Sequence, residues 1–175
     1  MNDTPERVTL GPLVCLSVTG LGEPGGGEHT TAIGALYAVA AGLGGPAGPL
    51  EGLWWAEDDR PPLQVPRELW RWHLLLPLPG MPEPGLLESA REQARPSGAA
   101  VDRVRVSVHT EGECVQLTHE GPFSEEHRTL AVMDAYMTAH HLVPNGPHHE
   151  IYLTPLDDPR PRTLLRQPVR KDSPL

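Results

Sequence analysis

The sequence predicts an α+β fold built from two copies of a βαββ unit, and three observations carry that reading. Displaced by 99 positions, the two halves of the 175-residue chain match without a gap. Cys15 falls on Cys114, Thr19 on Thr118, Gly22 on Gly121, Thr30 on Thr129, Tyr37 on Tyr136, Leu43 on Leu142 and Glu51 on Glu150. An offset sustained over such a length marks a duplicated supersecondary unit. Both halves also show the same succession of apolar periodicities, and the length suits one domain with a single core.

Each element follows from pattern and punctuation. Residues 13–19 form a β-branched apolar run closed by Gly20 and Gly22, which predicts a strand. Residues 28–43 place Ile33, Leu36, Tyr37 and Ala40 at helical spacing before Gly44, Gly45 and Pro46 stop the helix. Residues 50–57 and 68–76 predict two strands joined across a turn at 58–62. In the second half, 113–119 predicts a strand and Ser124 an N-cap. Glu125 and Glu126 fall in the first turn of the following helix, where they suit its dipole. Leu130, Met133 and Met137 mark that helix's buried stripe, and strands at 149–154 and 164–169 complete the unit. A proline-rich stretch at 77–98 carries a short helix near 86–94, and 101–108 adds one more strand. The chain is thus read as one domain over 1–175: a first unit at about 12–77, a connector at about 78–100 and a second unit at about 101–170.

Composition narrows the function. A formal charge of −9 argues against a partner held by its phosphates. The one basic cluster, Arg160, Arg162, Arg166, Arg170 and Lys171, is interrupted by prolines and reads as surface. No apolar run approaches the roughly 18 residues of a membrane span, and the polar start has no signal-peptide core. Cys15 and Cys114, at matching places inside the expected strands, suit reduced buried thiols and a cytoplasmic protein.

Two constellations could carry chemistry. Period-two alternation in 149–153 sends Ile151 and Leu153 to one face and Glu150 with Tyr152 to the other. With the apolar pair on the core, Glu150 faces water or a cavity; Glu51 at the matching place in the first half favours an inward-facing seam. All four tryptophans, Trp54, Trp55, Trp70 and Trp72, fall on the hairpin of the first unit. Trp70 and Trp72 share a face, whereas Trp54 and Trp55 oppose each other. They form either a tryptophan-rich core or aromatic walls for a flat ligand. Phe123 stands at a strand-to-helix corner, and Tyr136 and Met133 lie on the helix over the seam, where ordinary packing explains Met133 equally well. Gly20-x-Gly22-x-x-Gly25 resembles a dinucleotide fingerprint, but Pro24 and the hairpin that follows speak against one. The pairs His140-His141 and His148-His149 diverge in direction and predict no metal site.

At several blocks the chain resembles the GyrI-like small-molecule-binding proteins. They include Pro49-Leu50-Glu51-Gly52-Leu53-Trp54-Trp55, Glu68-Leu69-Trp70-Arg71-Trp72 and His119-Glu120-Gly121-Pro122-Phe123. They continue with Pro144-Asn145-Gly146-Pro147-His148-His149-Glu150-Ile151-Tyr152-Leu153 and Leu165-Arg166-Gln167-Pro168-Val169. The resemblance implies duplicated βαββ units of SHS2 type in an antiparallel sheet, with a ligand cleft between the halves. It maps the cleft glutamate to Glu150, the glycine-proline corner to Phe123, and aromatic walls to the 54–72 hairpin, Tyr136 and Tyr152. It further implies a stand-alone cyclopropyl hydrolase acting on alkylators of the yatakemycin, CC-1065 and duocarmycin type. With about a dozen residues ahead of the first strand, no DNA-binding helical domain is expected.

The expected catalyst therefore uses Glu150 to orient or deprotonate a water, with Tyr152 or Tyr136 donating to the dienone carbonyl, and needs no metal or cofactor. Burial should raise the Glu150 pKa, so that activity falls as pH drops through it. The expected partner is a flat hydrophobic small molecule, and the expected state a monomer or weak homodimer. The alternatives are a non-catalytic sponge for lipophilic cations or planar drugs, and a protein-interaction role that lacks the continuous acidic stripe it would need.

Overall fold

A computed structural model describes residues 4–173 and has an α+β architecture. Its elements are β1 (Glu6–Leu21), α1 (Gly27–Ala41), β2 (Glu51–Ala56), β3 (Trp70–Pro77), α2 (Pro84–Ala94) and β4 (Arg105–Glu120), then α3 (Glu126–Ala139), β5 (Leu142–Pro144), β6 (His148–Tyr152) and β7 (Arg162–Lys171). The 99-residue offset carries β1 onto β4 end to end and the first residue of α1 onto that of α3. Two compact units result. One is Leu13–His109; the other joins the described residues before Leu13 to those from Thr110 onward.

In the Leu13–His109 unit, β3 lies between β1 and β2, antiparallel to both. Directly paired residues share a face. The pairs Val18↔Leu74, Gly20↔Trp72 and Trp54↔Trp72 therefore define one face, and His29 of α1 packs its ring against Trp54 and Trp72 there. The buried stripe of α1 is His29, Ala32, Ala35, Leu36, Val39 and Ala40. Tyr37, expected on that stripe, is 43% exposed. Tyr37 follows the buried Leu36 by one residue, a turn of about 100° round the helix that carries it off the stripe. The opposite face carries Cys15, Leu53 and Leu75, with Trp55 packed against them. The 78–100 stretch, expected as a connector, contributes α2 to this same unit. It packs on α1 so closely that a Cβ at Gly42 would lie 2.7 Å from that of Ala90.

Gly20 owes its identity to the same aromatic layer. A Cβ there would stand 2.2 Å from Trp72 ring carbons, and the Gly25 N–H donates to His29 Nδ1 at 3.1 Å. Gly20 and Gly25 of the motif that resembles a phosphate cradle thus serve an aromatic core.

In the other unit, β7 lies between β4 and β6 and pairs with β5 at its far end. Leu117, Leu165 and Glu150 line up across one face, as do His119, Thr163 and Tyr152. Helix α3 covers that face, burying Met133 and Met137 against Val115, Leu117, Leu165 and Val169, with Leu130 partly buried beside them. Met133, expected among the ligand contacts, is 1% exposed within this core.

Several sequence expectations need correction. The two strands expected at 101–108 and 113–119 are a single strand, β4, preceded by a 3-10 turn over Val101–Arg103. Gly112, at φ 76, lets the strand run through a left-handed residue that a side chain would strain. Ser124 caps nothing: it lies inside the 3-10 turn Phe123–Glu125, and α3 starts without a side-chain cap. Leu153 lies beyond the end of β6 and is 43% exposed, because the chain turns there to pair with Arg162. Both cysteines are free and buried, and burial pushes their thiols up, Cys114 to about 12. No helix among the described residues is long and apolar enough to cross a membrane.

Candidate functional site

Strand β6 builds the site by alternation. His148, Glu150 and Tyr152 project from one face, and the Glu150↔Leu165 register sets that face under α3. Of the apolar pair expected on the core, Ile151 is buried and Leu153 exposed, while Glu150, expected to face water or a cavity, lies under α3. The Tyr152 hydroxyl donates to Glu150 Oε2 at 2.8 Å, and His148 Nε2 lies 3.2 Å from Glu150 Oε1. The Glu150 side chain keeps 13% of its surface exposed. Phe123, 40% exposed, meets the buried Tyr152 ring edge-on at 6.1 Å. A carboxylate with two fixed donors, one of them on a ring packed against the exposed Phe123, can orient a small polar molecule.

A fourth group went unread in the sequence. Glu126, the first residue of α3, is buried and shares a hydrogen bond with Glu150. Its signal was there: Glu126, Leu130, Met133 and Met137 follow one another at helical spacing, so Glu126 begins the buried stripe. Its place in the first turn suits the helix dipole as well, and that alone explains it in the sequence.

The two carboxyls are driven apart. Burial and the neighbouring Glu150 charge push Glu126 up to about 9. Burial also acts to raise Glu150, but hydrogen bonds from His148, Tyr152 and Glu126, with the His148 charge, outweigh it and hold Glu150 below the usual carboxylate value. The expected raised pKa therefore belongs to the partner. Donor atoms of Glu126, His148 and Glu150 lie within 4.8 Å of one another, a spacing a cation could use. Glu126 and His148 each share a hydrogen bond with Glu150, so the three can also exchange protons.

A dependence of stability on pH follows from Glu126. Its folded value lies above the unfolded one of about 4.5, so the folded chain retains a proton that the unfolded chain has lost. Stability from this group should fall as pH rises from about 4.5 towards about 9. Urea unfolding at pH 5.5 and 8.5, in wild type and Glu126→Gln, measures this; an equal pH slope in both would contradict it.

Other expected site residues are not gathered here. Glu51, aligned with Glu150 in sequence, sits on the face opposite α1 through its Leu75 pairing, whereas Glu150 faces α3, so the matched carboxylates are not equivalent in their units. Tyr136 stacks on His140 at 4.0 Å. Ten residues, roughly 15 Å of helix, separate it from Glu126. In the Leu13–His109 unit, Trp54, Trp70 and Trp72 share one face with His29, and Trp72 has no exposed surface. The Trp70 Nε1–H donates to the Val65 carbonyl at 3.1 Å, and the Arg67 guanidinium lies 5.8 Å from its ring centre. Trp55, half-buried on the other face, lines a groove of about 390 Å³ with Thr19, Leu21 and the Glu57–Arg71 ion pair.

Among solved structures, an uncharacterized conserved protein from Listeria innocua is 35% identical at a TM-score of 0.85, over 96% of this chain and 93% of that one. A hydrolase from Listeria innocua is 34% identical at a TM-score of 0.81, over 96% and 92% of the two chains. The EcmrR C-terminal domain, 10% identical at a TM-score of 0.60 over 96% and 98%, shares the fold alone. No family model and no curated protein matches the chain.

Proposed function

We propose, from the premise that this chain belongs to one family with the Listeria innocua hydrolase, that it is a hydrolase which opens the cyclopropane of DNA-alkylating natural products and so protects against them. The observation that carries the reading is the Glu150 carboxylate, nearly enclosed and held by Tyr152 and His148, with Phe123 packed against the Tyr152 ring. The substrate class comes from the GyrI-like resemblance of the sequence blocks.

In this reading the flat alkylating unit rests against Phe123, and Glu150 accepts a hydrogen bond from one water. The water oxygen attacks the strained methylene, forming a C–O bond as the cyclopropane C–C bond breaks. The released electron pair passes through the conjugated dienone to its oxygen, which becomes a phenol on taking a proton from solvent. Glu150 receives the water's proton. Tyr152 uses its single O–H on Glu150, so it orients the carboxylate and does not donate to the dienone. In the tryptophan-bearing unit, half-buried Trp55 suits stacking on a planar ligand, whereas fully buried Trp72 belongs to the core.

Incubation with an excess of a cyclopropane-bearing alkylator in ¹⁸O-water tests this. Repeated turnover to a product carrying one added water, its ¹⁸O on the new primary alcohol, is expected. Unchanged ligand recovered after denaturation would mark a sponge and overturn the hydrolase.

A further inference from the structure

Glu126 has no part in the chemistry above, yet it is 9% exposed and bonded to the group that does. One of its oxygens meets Glu150; the other, Oε1, is buried without a hydrogen-bond partner. Ionised carboxylates only accept hydrogen bonds, so a bond between two of them requires a proton on one. Glu150 already accepts from Tyr152 and lies beside His148, both of which favour its charge. Glu126 keeps one buried oxygen with no hydrogen-bond donor, which disfavours its charged form. The proton therefore sits on Glu126.

We propose that Glu126 is a positioning residue: a protonated carboxyl that donates its hydrogen to Glu150 and holds that carboxylate in orientation and charge. The proposal rests on the reading of Glu150 as the group that handles the attacking water. The groups acting on the pair are His148 and Tyr152, both on β6. On the α3 side Glu125 and Arg128 pair with each other at 3.6 Å, and on β4 His119 is engaged by Thr129 and the Pro122 carbonyl. When Glu126 loses its proton in alkaline solution, two like charges face each other in a buried site and Glu150 loses its third donor.

Carboxyl ¹³C NMR of the full chain labelled at glutamate, followed from pH 3 to 10, reads the proton directly. One resonance should titrate far above the usual carboxylate range, near the value of about 9 that burial imposes, and vanish in Glu126→Gln. The Glu150 resonance, assigned with Glu150→Gln, should titrate higher in Glu126→Ala than in wild type, and Glu126→Gln, whose amide still donates, should restore it. With an alkylator as substrate, wild-type kcat should fall on the alkaline side. Glu126→Ala should lose about tenfold or more in kcat with little change in KM, the scale of one charge-assisted hydrogen bond, and Glu126→Gln should recover most of that loss without the alkaline fall. Absence of any high-titrating carboxyl, or a Glu150 titration indifferent to Glu126→Ala, overturns the proposal. These NMR readings need no turnover, so they decide it even if the chain hydrolyses no cyclopropane, and wild type with Glu126→Gln suffices if the alanine variant does not fold.

Discussion

Glu150→Gln is expected to lower kcat for cyclopropane opening by about 10²–10⁴-fold, the usual worth of a positioned acid–base group, while ligand affinity changes little. The amide keeps the shape and one acceptor oxygen but can no longer take the water's proton. It also disturbs the partners: Tyr152 would face a neutral acceptor, and Glu126 would lose the charge that helps raise its pKa. Tyr152→Phe should show a smaller loss, about tenfold, because it removes one donor to the carboxylate and leaves the ring against Phe123. The acid side of the rate profile carries the sign. Because Glu150 is held below the usual value, activity should persist through mildly acidic pH and fall only beneath that range. A base with a raised pKa would fail earlier, which was the expectation from burial alone. Single-turnover kinetics across pH 3.5–8 for wild type and both variants measure this, and a Glu150→Gln enzyme with near wild-type turnover would remove Glu150 from the chemistry.

Trp72→Ala is expected to destabilise the chain by about 3–5 kcal/mol, the cost of emptying a large buried site. Trp72 is fully buried at the centre of the Leu13–His109 unit, against His29 and opposite Gly20 and Trp54. Gly20→Ala attacks the same contact from the other side, since its new methyl would overlap the indole, and should cost about 1–3 kcal/mol or more. The two changes share one space, so the double variant should be more stable than the sum of the singles implies. Urea denaturation of the four proteins gives the coupling directly. Additive costs would show that the indole can shift aside and that the close approach does not constrain Gly20.

The legible parts of the chain were those governed by local pattern. Alternation in 149–153 set Glu150 and Tyr152 on one face, and their hydrogen bond at 2.8 Å follows from it. Helical spacing found Met133 and Met137 in the core, and adjacency alone sent Trp54 and Trp55 to opposite faces of β2. Where the periodicity was interrupted the reading slipped. Gly112 hid the continuity of β4, and helical spacing with Ile33 and Ala40 let the apolar but exposed Tyr37 pass as core.

Alternation states which side chains share a face but is silent on which face a helix will cover. That assignment depends on pairings between strands distant in sequence: Glu150↔Leu165 brings its carboxylate under α3, while Glu51↔Leu75 turns the aligned glutamate away from α1. The pairing of Glu126 with Glu150, and with it the division of one proton between two acids, belongs to the same class of fact. A pKa answers to burial and to neighbours a few ångströms away, and residues 24 positions apart become neighbours only once the chain is packed.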